Sequence, residues 1–196
     1  MMDGLEGIVY DTVSHPAAFS KLNPGNLDKY DAILLYDMPQ EISGRDRENF
    51  LDMFERGKGV VVLHHATGSY DDWYEFVKIA GGHFNLSDKP GRNVTSSGFT
   101  MDVTMKVRVL DTEHPVVKGI GDFEITDETY GNMELLPGIH PLLGTDEATS
   151  CHYLCWTNRY GNSRIVTILL GHDDRAWSNP DFSRLLRQAL KWVERP

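Results

Sequence analysis

Apolar residues fall along this chain in two rhythms. Residues 31–37 (DAILLYD), 60–63 (VVVL) and 164–170 (RIVTILL) are short runs that are almost wholly apolar and bounded by turn-forming or charged residues. Such runs predict strands buried on both faces, as in a parallel sheet. Elsewhere the spacing is helical. Ser43 is a helix-capping residue ahead of Phe50, Leu51 and Phe54, and Gly57 and Gly59 stop that helix after about residue 56. A second helix is expected near residues 71–80, with Trp73, Tyr74 and Val77 inward, closed by Gly81 and Gly82. A third, residues 181–193, places Phe182, Leu185, Leu186, Ala189, Leu190 and Val193 on one stripe. Buried strands alternating with helices of this length predict an α/β fold whose parallel sheet is covered on both faces.

The remaining segments are less regular. Residues 7–12 read as a short extended piece, followed by an irregular stretch with Pro16, Pro24 and Gly25. Residues 83–97 form a loop rich in Ser, Asn, Gly and Pro, long enough to suggest a lid or binding loop. Between residues 101 and 159, short β-like runs alternate with turn residues, which predicts antiparallel strands added at the sheet edge. Residues 160–162 make a turn and residues 171–174 a loop. With no repeat and no linker, residues 1–196 read as one domain.

Charge narrows the partners. The formal net charge of −10 and pI near 5.2, with basic residues scattered, would repel a phosphate backbone, so nucleic acid is not expected. No apolar run reaches the roughly 18 residues of a membrane helix, and Met1-Met2-Asp3-Gly4 has no basic-then-apolar signal. A cytoplasmic protein is expected. Cys151 and Cys155 are the only cysteines. Four residues apart on an extended strand, about 13 Å, they are too distant to pair with each other, and read as packing residues.

In parallel sheets, ligands gather beyond the carboxyl ends of the strands. Two of the predicted strands end on histidine there: VVVL runs into His64 and IVTILLG into His172. An imidazole titrates near neutrality and carries a lone pair, so each could act as acid, base or metal ligand. Asp127 and Glu128 supply carboxylates to orient an imidazole, bind a sugar hydroxyl or complete a metal site. His64, His172 and Glu128 together would suit zinc or another divalent ion. Asp173 either caps the next segment or fixes the His172 tautomer. Tyr130 and Trp177, read as loop residues beside these groups, could stack on a sugar ring. His65, His83 and His114 read as packing or turn residues.

Several ordered segments carry a resemblance: Gly59 to Thr67 (GVVVLHHAT), Trp73 through Gly81-Gly82-His83-Phe84, His114-Pro115-Val116, Asp127-Glu128-Thr129-Tyr130, Trp156 ahead of Tyr160-Gly161 and Arg164, and Leu170-Gly171-His172-Asp173 followed by Trp177. In this series the chain resembles the ThuA-like (trehalose utilisation) family. The resemblance implies a three-layer, flavodoxin-like sheet of the class I glutamine amidotransferase-like superfamily, mostly parallel, with helices on both faces. It puts His64 where amidotransferases carry their nucleophilic Cys, and His172-Asp173 where they carry their catalytic His and its acidic neighbour. Amidotransfer is therefore not expected. Set against that resemblance, the family's opening strand is expected to be missing or truncated here. The resemblance also implies a small-molecule carbohydrate partner, trehalose or a related disaccharide or keto sugar. It leaves two readings: acid/base or metal-assisted chemistry at His64, His172, Glu128 and Asp127, with Tyr130, Trp177 and Asp173 contacting substrate, or a sugar-binding or regulatory module without turnover. Self-assembly into a homo-oligomer is compatible with either.

Overall fold

The computed structural model describes Leu5 and residues 7–194, so the Met1–Gly4 reading lies outside the described residues. In chain order the elements are α1 (Pro24–Leu27), β1 (Ala32–Leu35), α2 (Gly44–Glu55), β2 (Gly59–Leu63), α3 (Tyr74–Ala80), β3 (Gly82–His83), β4 (Gly98–Val109), β5 (Phe123–Gly131), β6 (Glu134–Leu135), β7 (His140–Gly144), β8 (Tyr153–Tyr160), β9 (Ser163–Ile168), α4 (Asp174–Trp177) and α5 (Pro180–Val193). A seven-stranded sheet runs β1-β2-β9-β8-β7-β4-β5, and β3 and β6 form a separate pair.

The parallel part is smaller than the apolar runs suggest. Only β1, β2 and β9 run parallel. The strands from β8 to β5 pair antiparallel, so the sheet is mixed rather than mostly parallel. The reason lies in the connections. A short turn at Gly161, in the left-handed region with φ 56°, joins β8 to β9 as a hairpin, and a hairpin can only reverse the chain.

At the parallel end, alternate side chains of each strand enter two cores. Val61, Leu63, Val166 and Ile168 pack against Phe182, Leu185, Leu186, Ala189 and Val193 of α5 on one face. Val60, Val62 and Ile165 pack against Phe50, Met53 and Phe54 of α2 and Phe76 and Ile79 of α3 on the other. All six apolar positions foreseen on α5 are buried, each such large side chain contributing roughly 1.5–3 kcal/mol through burial. Gly59 makes the close docking of α5 possible: a Cβ there would lie 2.0 Å from the Val193 carbonyl oxygen.

Three expectations are corrected. Residues 7–12, the short extended piece, join no strand of the sheet and are largely exposed, with Val9 fully so. This leaves β1 at the sheet edge, shorter than residues 31–37 and half-buried instead of fully buried. A cavity of about 1330 Å³ lies between residues 7–15 and β1. The second helix begins at Tyr74, whose side chain is exposed, while Phe76 turns inward. Residues 127–130 belong to β5, and Trp177 ends the short helix α4, so neither Tyr130 nor Trp177 lies in a loop.

The long loop before β4 is pinned. Asp71 accepts from the Leu86 amide at 2.9 Å, from Ser87 Oγ at 3.0 Å and from Lys89 Nζ at 2.6 Å. No helix is long and apolar enough to cross a membrane, among the described residues.

Candidate functional site

β2 and β9 lie side by side and parallel, so the residues leaving their carboxyl ends meet on one rim. His64 leaves β2 with φ 53°, a left-handed conformation that a non-glycine residue adopts at a cost of about 1–2 kcal/mol. A strained turn of this kind, at a strand end, is how a fold displays a reactive side chain. The ring is completely buried.

His64 Nδ1 lies 2.7 Å from the Leu169 carbonyl oxygen. A carbonyl can only accept, so Nδ1 carries the proton and, in the neutral ring, Nε2 presents a lone pair. Around that lone pair lie His172 Nδ1 at 3.1 Å, Glu128 Oε2 at 3.2 Å and Tyr130 Oη at 2.9 Å. His172 Nδ1 and Glu128 Oε2 are 3.5 Å apart. The Tyr130 ring also stacks on His64, with centroids 4.9 Å apart, and Phe84 meets its edge.

β5 delivers the carboxylates because the sheet curls: its last strand returns to the rim made by β9. Asp127 fixes that return. Its Oδ2 accepts from the Gly171 amide at 2.7 Å, and its Oδ1 from the His172 amide at 3.0 Å and the Glu128 amide at 2.9 Å. Burial pushes the Asp127 carboxyl up, and these three N–H groups and His64 only partly offset it. For Glu128 the balance reverses. Burial pushes it up, but its contacts with His64 and Tyr130, and the attraction of His64 and His172 when they are protonated, leave it below its ordinary value. Burial raises the Tyr130 phenol strongly, with Glu128 adding to it, so Tyr130 stays a neutral donor.

Of the residues anticipated from sequence, His64, Glu128, His172 and Tyr130 converge. Asp127 sits behind them and spends both oxygens on backbone. Trp177 donates Nε1–H to the Gly171 carbonyl at 3.0 Å, and Asp173 caps α4 and pairs with Arg175, which holds its carboxyl at about 2. Tyr36, not singled out from the sequence, also belongs here: its hydroxyl donates to the Gly171 carbonyl at 2.8 Å. Its place at the end of β1, on the same rim, was the available signal. The large cavity reaches Tyr36, His65 and Trp177 but is not lined by His64, Glu128 or His172.

His64 Nε2, His172 Nδ1 and a Glu128 oxygen form the one group of potential metal ligands found among the described residues. Their separations of 3.1, 3.2 and 3.5 Å match the edge of a tetrahedron, about 3.3 Å for zinc bonds of about 2.0–2.1 Å. The Leu169 carbonyl on His64 Nδ1–H is the outer partner that orients a ligating imidazole. His172 is the exposed member, with 32% of its side chain open to solvent.

Comparison with known proteins agrees with the sequence resemblance. The ThuA family, described as trehalose utilisation, matches residues 5–193. No curated protein matches the chain. Among solved structures, a ThuA-like protein from Parabacteroides merdae superposes with a TM-score of 0.74 at 24% identity, over 86% of this chain and 72% of that one. One from Bacteroides uniformis gives 0.72 at 22% identity, over 95% and 77%. A β-galactosidase from Rahnella sp. R3 gives 0.55 at 12% identity, over 85% of this chain but 23% of that enzyme, which is a likeness of fold alone.

Proposed function

Because the chain belongs to the ThuA, or trehalose utilisation, family, we propose that it acts on a disaccharide or keto sugar through a divalent cation held by His64, Glu128 and His172. One observation carries the reading. Two imidazole nitrogens and a carboxylate oxygen converge within 3.5 Å, and Tyr130 adds a neutral hydroxyl at 2.9 Å from His64 Nε2. With both imidazoles neutral and their lone pairs turned inward, these atoms offer a divalent cation three ligands. A bound zinc-type ion would supply Lewis acidity toward a sugar oxygen or an activated water.

The protein's own groups have separate tasks in this reading. His64 is held in one tautomer by Leu169. His172, partly open to solvent, faces the substrate side, where its Nε2–H can donate a hydrogen bond. Tyr130 donates a hydrogen bond to the cluster. Asp127, Tyr36 and Trp177 are positioning residues that fix the Gly171-His172 backbone, and Asp173 secures α4. The frame is read as the amidotransferase-like three-layer design with histidine at the nucleophile position, supported by helices on both faces of the parallel end. Two free buried thiols, Cys151 and Cys155, suit a reducing cytoplasmic setting.

The test is conversion of trehalose and of its oxidised keto derivative by metal-free and zinc-loaded protein, with Glu128→Gln alongside. Turnover in the zinc-loaded wild type, reduced at least about 100-fold by metal removal or by Glu128→Gln, is the expected result. Equal turnover without metal would contradict the reading, and saturable sugar binding with no product in any metal state would make this a sugar-binding module.

A further inference from the structure

β4 contains an irregularity set beside the site. Its register pairs Phe99 with Tyr130 and Thr100 with Thr129, then resumes with Val103 opposite Asp127. Two residues, Met101 and Asp102, therefore oppose the single residue Glu128. A β-bulge of this kind re-aims side chains and is common beside active sites. Asp102 is held there in the left-handed region with φ 59°. Arg175 grips it and also donates Nε–H to Asp173 at 2.9 Å, so the bulge is tied to the chain that carries His172.

The bulge and its approach leave apolar side chains in solvent. Phe99 is 61% exposed and Met101 43% exposed. Directly opposed residues of an antiparallel pair project from the same face of the sheet, with Cβ atoms about 5 Å apart. Phe99 thus stands on the face from which Tyr130 reaches His64, and Met101 beside Glu128. An exposed flat ring and a flexible thioether, rimmed by Asp102, Arg175 and Asp173, combine an apolar platform with charged groups able to hydrogen-bond hydroxyls.

Building on the carbohydrate reading above, we propose that Phe99 and Met101 form the platform on which a pyranose ring of the substrate rests while it meets the His64, Glu128 and His172 cluster. The ring's apolar C–H face lies on Phe99, and its hydroxyls turn toward the charged rim. These residues set affinity and specificity and take no part in holding the metal.

Trehalose is the probe, titrated into the zinc-loaded full chain and followed by saturation-transfer NMR and calorimetry. Phe99→Ala is expected to weaken trehalose binding at least about 10-fold and Met101→Ala less, with zinc content unchanged and thermal melts intact because both side chains are exposed. Phe99→Trp, which keeps a flat ring, should restore binding. Wild-type affinity in both alanine variants would overturn the platform while leaving the carbohydrate reading standing. Failure of the wild type to bind trehalose, keto-trehalose or maltose would overturn both. A dimer that dissociates in Phe99→Ala, with sugar affinity unchanged, would assign the surface to a second copy of the chain and overturn the proposal.

Discussion

Replacing His64 with alanine is expected to weaken zinc binding by at least about 100-fold while the fold survives. The ring supplies the central lone pair: Tyr130 is neutral, and Glu128 and His172 already occupy their own corners. The effect on ligand binding exceeds the 10- to 100-fold loss usual for outer partners of a metal site. Stability behaves differently, because His64 holds a left-handed backbone. His64→Gly removes the same ligand and relieves the strain, so it should be more stable than His64→Ala by about 1 kcal/mol. Titration against a competing chelator, with urea unfolding of both variants, checks the two halves. Wild-type zinc affinity in either variant, or an alanine variant more stable than the glycine one, would contradict the assignment.

The largest stability effect is expected at Asp127, which does not face the cluster. Its two oxygens accept from three amides, those of Gly171 and Glu128 buried and that of His172 partly so. Asp127→Ala leaves all three without partners and should destabilise the fold by about 3 kcal/mol or more, since each unsatisfied buried group costs about 1–3 kcal/mol. Asp127→Asn preserves shape but turns an amino group toward an N–H donor, at a cost of about 2 kcal/mol. Because the same bonds set the direction in which His172 leaves β9, the asparagine variant should also lose about 10- to 100-fold in zinc affinity without having removed a ligand. Urea midpoints and chelator competition on Asp127→Asn measure both. An unchanged midpoint would show that the carboxylate does not hold this turn.

What the chain revealed before its structure follows the range of the forces involved. The stripe of α5 and the buried run of β2 were legible because helix and strand periodicity are local, and all six α5 positions are buried. His64 and His172 were legible for the same reason: an apolar run that stops on a polar residue marks a strand end, and β2 and β9 are indeed neighbours. Strand direction was not legible, because a buried run looks alike in either orientation until its connection is known. Nor was the task of Asp127, whose partners Gly171 and His172 lie 44 and 45 residues away. Residues 7–12 have strand-like composition, but a strand needs a neighbour, and that segment has none in the sheet. The bulge at Met101 and Asp102 depends on register between distant segments, which no local pattern encodes.

The central claim is that three side chains gather around a cation, and metal content tests it most directly. Tag-free protein, stripped with chelator and dialysed against zinc, should hold one ion per chain by mass spectrometry. His64→Ala and His172→Ala, treated in the same way, should hold none. A wild type that takes up no divalent ion, or variants that keep theirs, would contradict the account.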